Sequence, residues 1–334
     1  MRLIFHIGMG KTGTTSIQHA LRTGSEDLAR QKARYLGMWF DMIEPAFEGL
    51  SGQYELFNLG EAAQQDAAER FTTVLEDVEK HDGTKTFIMS NESLFGAGAR
   101  LEAFFARLSE KLDSVLFVAY LRDPRSWLPS AYTQWGIRHK TYPGPIQPLH
   151  ARARDLLGQY EGIRFWLESH ADRLTIRPHE KGGDVVKDFA ETIGISLPKL
   201  ASRALERPEP TDILMRAMFN NRIPGPALPD IFDRQVVNTT QAPVPSLRDM
   251  AETCFRRDEA EEIIAEKREL FEYIRDRVGL DFLDGEKREN EMPDEAELLR
   301  RMIDYLVEIS LDQAVRLKRL ERLVNELRTA KGGA

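Results

Sequence analysis

Short apolar runs alternate with amphipathic stretches over roughly the first 195 residues of the chain. The runs predict strands at 2–8, 33–38, 85–92, 114–123 and 173–180. Within the fourth run, the stretch VLFVAYL is apolar throughout, which is typical of a strand that is covered on both faces of a parallel sheet.

Amphipathic helices are predicted between these strands. Segments 61–81 and 100–112 each carry one apolar stripe at helical spacing, and a further helix begins after Asp184 and stops at Gly194. The alternation predicts an α/β protein with a parallel central sheet flanked by helices. Ligands of such sheets bind beyond the carboxyl ends of the strands, where loops that are distant in sequence meet.

The alternation stops before residue 198. Residues 198–245 contain eight of the 16 prolines, which predicts loops and short helices that wrap the core or form a lid over an acceptor cleft. From about 256 onward the chain is charged and its pattern is helical. We therefore expect one α/β domain over 1–285 and a helical C-terminal extension over 286–334.

Within the extension, apolar residues recur at alternating steps of four and three from Leu299 to Leu327, interrupted by Ser310 and Gln313. This spacing predicts either the seam of a coiled coil, and with it a homo-oligomer, or a helix docked on its own domain. Docking on its own domain is the interpretation preferred from the sequence.

Composition narrows the classes of function. Hydrophobic residues make up 42% of the chain and charged residues 30%, and the net charge of −8 disfavours a general nucleic-acid partner. The single cysteine, Cys254, precludes an internal disulfide and fits a reducing compartment. Because no apolar leader follows Met1 and no run reaches the roughly 18 apolar residues of a membrane span, we expect a cytoplasmic protein without a transmembrane segment.

The first predicted strand runs into a glycine-rich turn, FHIGMGKTGTTSIQ. A glycine turn between a strand and a helix directs backbone amides at an anion. A Walker A loop needs a glycine six residues before its lysine, but Phe5 stands there relative to Lys11. The strand at 114–123 also ends in Arg122 and Asp123, without an acid placed like a Mg²⁺ ligand. We therefore expect a phosphate loop that works without a metal, and the histidines show no metal-ligand spacing.

The turn resembles the 5′-phosphosulfate loop of the sulfotransferases that use 3′-phosphoadenylyl sulfate (PAPS). In that family Lys-Ser/Thr-Gly-Thr-Thr follows the first strand, and here Lys11–Thr15 has this sequence, with Ser16–Gln18 similar to the bacterial branch. The family also has an Arg at the end of a later strand and a Ser eight residues on, which Arg122 and Ser130 match. One departure is Gly10, where many relatives have Pro.

This resemblance covers about 1–195 and implies a three-layer fold like that of P-loop NTPases. It implies transfer of a sulfuryl group from PAPS to a hydroxyl or amine, with adenosine 3′,5′-bisphosphate as product and no metal. The residues implied at the 5′-phosphosulfate are Gly10, Lys11, Thr12, Gly13, Thr14 and Thr15, and those at the 3′-phosphate are Arg122 and Ser130. Lys11 is expected to stabilise the leaving oxygen. Pro129 leaves open whether the helix that carries Ser130 starts or kinks there.

A general base has two candidates. Glu92 lies at the carboxyl end of a strand expected beside the first, in a Ser-Asn-Glu sequence that resembles the Ser-x-Glu of bacterial relatives. Glu92 or its neighbours could instead cap the following turn. His6 is the second candidate, although a histidine inside a strand is more often a core residue.

Two other functions stay open: a P-loop kinase, and a non-catalytic nucleotide-binding scaffold that acts through its C-terminal helix. For the acceptor, family analogy suggests a carbohydrate or a lipid-linked glycan. Aromatic residues that could line an acceptor cleft or belong to the core are Trp39, Phe40, Phe47, Tyr54 and Phe57. The run Arg138–Lys140 could contact an acidic acceptor or be a solvated charge run.

Overall fold

A computed structural model describes residues 1–180, 182–198, 210–229, 231–232, 246–256, 260–283 and 292–332. The described residues form five strands: β1 Arg2–His6, β2 Ala33–Tyr35, β3 Thr86–Ser90, β4 Ser114–Leu121 and β5 Leu174–Pro178. All five sequence predictions of strands are confirmed, and each observed strand is shorter than the predicted run because the flanking residues belong to loops or, at Arg173, to a 3₁₀ helix.

The strands form a single parallel sheet in the order β2-β3-β1-β4-β5. The first strand is therefore central, with β3 on one side and β4 on the other. In register, His6 at the end of β1 lies opposite Ser90 of β3 and Val118 of β4. This order confirms the parallel α/β class, and it brings the segments after β1, β3 and β4 to the same edge of the sheet.

The helices follow the strands in alternation. The α-helices are α1 Thr14–Thr23, α2 Ser25–Arg30, α3 Gly49–Phe57, α4 Glu61–Asp82, α5 Leu94–Ala97, α6 Glu102–Lys111, α7 Pro124–Ala131, α8 Leu149–Leu157, α9 Gly162–Ser169, α10 Val185–Ile193, α11 Pro210–Asn220, α12 Leu247–Phe255, α13 Ala260–Glu266, α14 Arg268–Val278 and α15 Glu295–Gly332. Short 3₁₀ helices lie at Pro45–Phe47, Gly98–Leu101, Gly158–Glu161 and Ala171–Arg173, and a π-helix at Tyr132–Arg138 follows α7. Among the described residues, no helix is both long and apolar enough to cross a membrane.

Helix α10 illustrates how local sequence sets the ends of an element. The side chain of Asp184 accepts hydrogen bonds from the amides of Val186 and Lys187, and Gly194 ends the helix with a positive φ of 71°. The sequence prediction of this cap and stop is confirmed. The predicted helix over 61–81 is likewise found, as α4.

Both faces of the sheet are covered by apolar side chains. On one face, β1, β3 and β4 pack with α1, α2 and α10 through a buried cluster of Ile4, Ile17, Leu21, Leu28, Ile88, Val118, Phe189 and Ile193. On the other face an aromatic cluster includes Phe5, Phe105, Phe117 and Trp166. Since successive strand residues point to opposite faces, Ile4 and Phe5 belong to different clusters.

The chain divides into two compact units. The first comprises Met1–Tyr132, Arg152–Arg207 and Glu259–Arg288, and contains the whole sheet. The second comprises Thr133–Ala151, Pro208–Asp258 and Glu289–Ala334. Much of the segment expected to form a lid lies outside the described residues, and its described part contributes α11 to the second unit.

The continuous C-terminal helix predicted from the sequence is confirmed as α15. The predicted apolar seam, however, is not the face of this helix that packs on the rest of the chain. Among the side chains of α15 that the structure describes, Leu298 and Met302 are buried, and α15 packs on α11. The neighbouring seam residues Leu299 and Ile303 are 45% and 60% exposed. The preferred expectation that the seam packs on its own domain is therefore wrong, because a different face of the helix contacts the chain.

Candidate functional site

The loop between β1 and α1 turns through three left-handed residues. Gly8, Lys11 and Gly13 have φ values of 41°, 68° and 88°. For lysine this conformation costs about 1–2 kcal/mol, whereas glycine adopts it freely. Strain of this kind is kept where the surrounding structure fixes the backbone for a purpose, so Lys11 is an informative outlier.

Gly13 is required for a second reason, which is its close approach to α10. A Cβ atom built on Gly13 would lie 2.7 Å from Cγ1 of Val185, the first residue of that helix. The loop is thus held against a neighbouring helix as well as by its own turns.

The N-terminus of α1 has the features of an anion site. Its cap residue, Gly13, has no side chain to bond the first amides, and the first turn contains no acidic residue. The amides of Thr14 and Thr15 open the helix and have no carbonyl one turn earlier within it. The positive end of the helix dipole adds to their attraction for an anion.

Thr14 supplies a separate observation at the same helix end. Its side chain is buried at 4% exposure, yet its Oγ1 has no hydrogen-bond partner. That oxygen lies 3.0 Å from where a Cβ of Gly8 would stand, and Nε2 of His6, also buried without a partner, lies 3.4 Å from the same point. Buried polar atoms are rarely left unpaired, so these two indicate a place where a further polar group binds.

The other loop threonines differ from Thr14. The hydroxyl of Thr12 is buried and donates to the carbonyl of Met9 at 2.5 Å, so this side chain braces the loop itself. Thr15 is exposed and Lys11 is partly exposed at the rim of the loop.

The two sequence motifs meet in the structure. Arg122, which directly follows β4, donates from Nη1 to the backbone carbonyl of Lys11 at 3.1 Å. These residues are 111 positions apart in the chain. The field of Arg122 also lowers the pKa of His179, after the larger effect of burial. The guanidinium therefore provides positive charge beside the loop, where the ends of β4 and β5 adjoin.

Ser126 is a contact of Arg122 that the sequence reasoning missed. Nε of Arg122 donates to Oγ of Ser126 at 2.9 Å. Ser130, the residue that the motif predicted, is partly buried one turn further along α7. Ser126 and Ser130 are four residues apart and share a face of α7. This spacing is the signal from which Ser126 could have been found.

The question about Pro129 is resolved by the start of α7. The helix begins at Pro124, with the side chain of Asp123 accepting from the amide of Arg125 at 2.8 Å. Pro129 lies inside the helix, and a π-helix follows from Tyr132. Pro129 therefore does not start the helix. The carboxylate of Asp123 serves as its N-cap.

Two aromatic residues fix the backbone around these groups. Nε1 of the buried Trp127 donates to the carbonyl of Gly10 at 2.8 Å, which ties α7 to the loop. The hydroxyl of the buried Tyr160 donates to the carbonyl of Arg122. Nothing in the local sequence of either residue predicts this role, because each partner is distant in the chain.

Glu92 follows β3 at the same edge of the sheet and is partly buried. Nε2 of Gln18, on α1, bridges the carbonyl of Ser90 at 3.1 Å and Oε2 of Glu92 at 3.3 Å. The turn after β3 is capped by Asn91, whose Oδ1 accepts from the amide of Ser93 at 2.9 Å. The capping role that the sequence left open for Glu92 or its neighbours is thus performed by Asn91, and the carboxylate of Glu92 is held towards α1.

His6 is fully buried within β1. Its Nδ1 lies 2.8 Å from Oγ of Ser90, and burial lowers the pKa of its imidazole from 6.5 to about 3. The ring is therefore neutral near pH 7. Its Nε2, without a partner, faces the same space as Thr14, which favours a structural or orienting role over exchange of protons with solvent.

The residues predicted to contact an acceptor differ in their exposure to solvent. Phe40 is fully buried and packs on Phe71 and Phe104, so it belongs to the core, whereas Tyr54 is exposed. In the second unit, Lys140 is fully buried, and its Nζ donates to the carbonyls of Gly144, Asn220 and Ile223. Both interpretations of Lys140, as a solvated charge and as an acceptor contact, are therefore wrong.

Within the described ranges, no group of three or more His, Cys, Asp or Glu side chains is arranged to hold a metal ion. The groups gathered at the loop are the cations Lys11 and Arg122, threonine hydroxyls and the amides at the start of α1. This set suits an anion with several phosphate-like oxygens.

Comparison with protein-family models and with curated protein sequences finds no match. Among solved structures, the chain is similar to a sulfotransferase from Alicyclobacillus acidocaldarius, with 14% identity, a TM-score of 0.35, and coverage of 63% of this chain and 87% of that one. It is also similar to the sulfotransferase domain of the Synechococcus PCC 7002 olefin synthase, with 12% identity, a TM-score of 0.34, and coverage of 76% and 93%. The sulfotransferase domain from the curacin biosynthetic pathway gives 12% identity, a TM-score of 0.33, and coverage of 75% and 96%. At these TM-scores the similarities carry no conclusion about the reaction of this chain.

Proposed function

We propose that this protein is a PAPS-dependent sulfotransferase. The observation that carries the proposal is the hydrogen bond from Arg122 to the carbonyl of Lys11, at 3.1 Å. It joins two sequence motifs that each resemble one half of a PAPS site. A glycine turn alone would fit many phosphate ligands, whereas a second cation held beside it suits a nucleotide with two separate phosphates.

Each residue of the site has a role in this proposal. The amides from Lys11 to Thr15, with the hydroxyls of Thr14 and Thr15, bind the 5′-phosphosulfate at the start of α1. Arg122 and Ser130 bind the 3′-phosphate, because a guanidinium offers a fork of donors and the hydroxyl adds another. Gly10 and Gly13 allow the backbone to approach the donor closely.

Transfer requires charge stabilisation more than covalent chemistry by the protein. The acceptor oxygen or nitrogen forms a bond to sulfur while the bond from sulfur to the bridging phosphate oxygen breaks. The electron pair of that bond stays on the departing oxygen, where Lys11 stabilises it. A donor placed in this way contributes about 10²–10³ in rate.

The proton of the acceptor goes to a base, for which we propose Glu92. Gln18 holds Oε2 of this carboxylate at 3.3 Å while anchored to the strand at Ser90. This contact holds the carboxylate next to α1, after the end of β3, and in this proposal the acceptor binds there. His6 is the less favoured base because its ring is buried and already bonded to Ser90.

The decisive experiment is binding of adenosine 3′,5′-bisphosphate, measured by calorimetry in the presence of EDTA. We expect binding without a divalent cation, and transfer of ³⁵S from labelled PAPS to a molecule in cell extract. Lys11→Ala should abolish transfer and leave most of the bisphosphate binding. Lys32→Ala is the matched control, since Lys32 is also left-handed, with φ of 54°, but is exposed and lies before β2.

Two results would overturn the proposal. Binding of Mg²⁺-ATP with no binding of the bisphosphate would favour the P-loop kinase. Bisphosphate binding with no labelled product in any extract, and full cellular function in Lys11→Ala, would favour the scaffold. The carbohydrate or glycan acceptor, the bacterial source and the cytoplasmic location remain predictions from the sequence, and identification of the labelled product tests the first of them.

A further inference from the structure

Helix α15 carries an exposed apolar seam that is separate from the face packed on the chain. The seam residues are Leu299, Ile303, Leu306, Leu317, Leu320 and Val324, and all six are between 45% and 60% exposed. They follow the alternating steps of four and three that form the seam of a coiled coil. The residues buried against the chain, Leu298 and Met302, lie beside this seam.

The length of α15 makes an unpaired state unfavourable. The helix has 38 residues and is about 57 Å long at 1.5 Å per residue. From Leu311 to Val324, the side chains that are described are exposed, apart from partly buried Gln313. A helix whose side chains are exposed over this length gains its stability from packing of an apolar stripe, so the seam requires a partner.

The order of polar and apolar residues along the seam identifies that partner. Its two polar positions, Ser310 and Gln313, are adjacent and central, and apolar residues flank them symmetrically. We propose that the seam binds the same seam of a second copy of this chain in antiparallel orientation. In that register Ser310 faces the partner's Gln313, so that a hydroxyl and an amide hydrogen-bond across the interface.

The same register matches the apolar positions. Leu306 faces the partner's Leu317, and Ile303 faces the partner's Leu320. Leu299 then faces the partner's Val324. Each pair is centred on the same point between Leu311 and Asp312, so no polar seam residue meets an apolar one in this range.

Charge along the helix favours the antiparallel orientation. Residues 295–312 contain five acidic and two basic side chains, whereas 313–332 contain two acidic and six basic ones. Antiparallel pairing lays the acidic half of one copy on the basic half of the other. Parallel pairing in register would place like charges together along both halves, which is unfavourable.

The first test is the mass of the full chain in solution, measured by light scattering after size-exclusion chromatography. We expect twice the chain mass of 38.2 kDa. Leu317→Asp should yield a monomer, because it places a carboxylate in the seam. Val315→Asp is the matched control: Val315 is 68% exposed, lies two residues away and is outside the seam, so the dimer should persist.

The second test determines orientation by disulfide formation. Cys254→Ala removes the native thiol, and Leu299→Cys and Val324→Cys are made separately in that background. The antiparallel register predicts cross-linking between the two variants when mixed, and little within either variant alone. Cross-links within each variant alone would instead indicate parallel pairing and overturn the proposal.

A chain that is monomeric at tens of micromolar overturns the proposal, as does a Leu317→Asp variant that remains dimeric. Binding of the monomer to phosphatidylglycerol vesicles would identify a lipid surface as the occupant of the seam. Circular dichroism of Leu317→Asp distinguishes loss of the dimer from loss of the fold, since the sheet and its flanking helices should remain.

Discussion

Nη1 of Arg122 lies 3.1 Å from the backbone oxygen of Lys11, although 110 residues separate the two in the chain. The contact exists because β4 lies beside β1, so the segments after both strands emerge at one edge of the sheet. Arg122 thus supports the loop and supplies charge beside it.

Arg122→Ala should weaken binding of adenosine 3′,5′-bisphosphate by about 30-fold, because a charge-assisted contact is worth about 2 kcal/mol. Calorimetry measures this loss directly. Binding of adenosine 5′-phosphate, which lacks the 3′-phosphate, should change much less. Equal losses for both nucleotides would mean that Arg122 acts only by supporting the loop.

Gly13→Ala should destabilise the protein by about 2–5 kcal/mol. The left-handed backbone conformation costs an alanine about 1–2 kcal/mol, and overpacking of its Cβ against Val185 costs about 1–3 kcal/mol more. Gly83→Ala is the control: its φ is 75° but nothing lies within 4 Å of a Cβ, so only the conformational cost applies. Urea denaturation gives both values. Val185→Ala in the same chain should recover part of the loss, and no recovery would exclude the clash.

The buried imidazole of His6 should make stability depend on pH. Its pKa is about 3 in the folded protein and 6.5 when exposed, so the unfolded chain binds the additional proton between these values. The contribution of neutral His6 is fully present above about pH 6.5 and is lost as the pH falls, by up to about 1.4 kcal/mol per pH unit.

His6→Gln should therefore have a smaller decline in unfolding free energy between pH 6 and pH 5, measured by urea denaturation at each pH. His81→Gln, which replaces an exposed histidine, should keep the decline of the unchanged chain. An unaltered slope in His6→Gln would show that the ring is not kept neutral by burial.

Lys140→Met should destabilise the second unit by about 2–4 kcal/mol, because three buried or partly buried carbonyls lose their donor at once. Two of these carbonyls, at Asn220 and Ile223, lie at and just after the end of α11. Lys80→Met, at an exposed position of α4, should stay within about 0.5 kcal/mol. Thermal or urea unfolding compares the two, and similar values would refute a structural role for Lys140.

Much of the fold could be predicted from local pattern. The run 114–123 is apolar because β4 is covered on both faces, and Asp184 and Gly194 end α10 through their own side-chain and backbone preferences. These features depend on neighbours within a few residues, which the sequence displays directly. The candidate site was predicted in another way, from the resemblance of the glycine turn and of the Arg122–Ser130 pair to the motifs of a sulfotransferase family.

The exposed position of the α15 seam shows the limit of such patterns. The spacing of its apolar residues predicts a continuous amphipathic helix, but spacing does not say which of two adjacent apolar stripes contacts the chain. Leu298 and Met302 pack there, and Leu299 and Ile303 do not. The choice depends on the position of α11, which is set by the tertiary fold.

The succession of strands and helices along the chain and the glycine turn after β1 could be predicted from local sequence, because periodicity and backbone preference are local. The hydrogen bonds from Trp127 to Gly10 and from Gln18 to Glu92, and the burial of Lys140, arise from the three-dimensional packing of the chain. These contacts join segments that are distant in the chain, and the packing of whole elements determines which polar atoms meet.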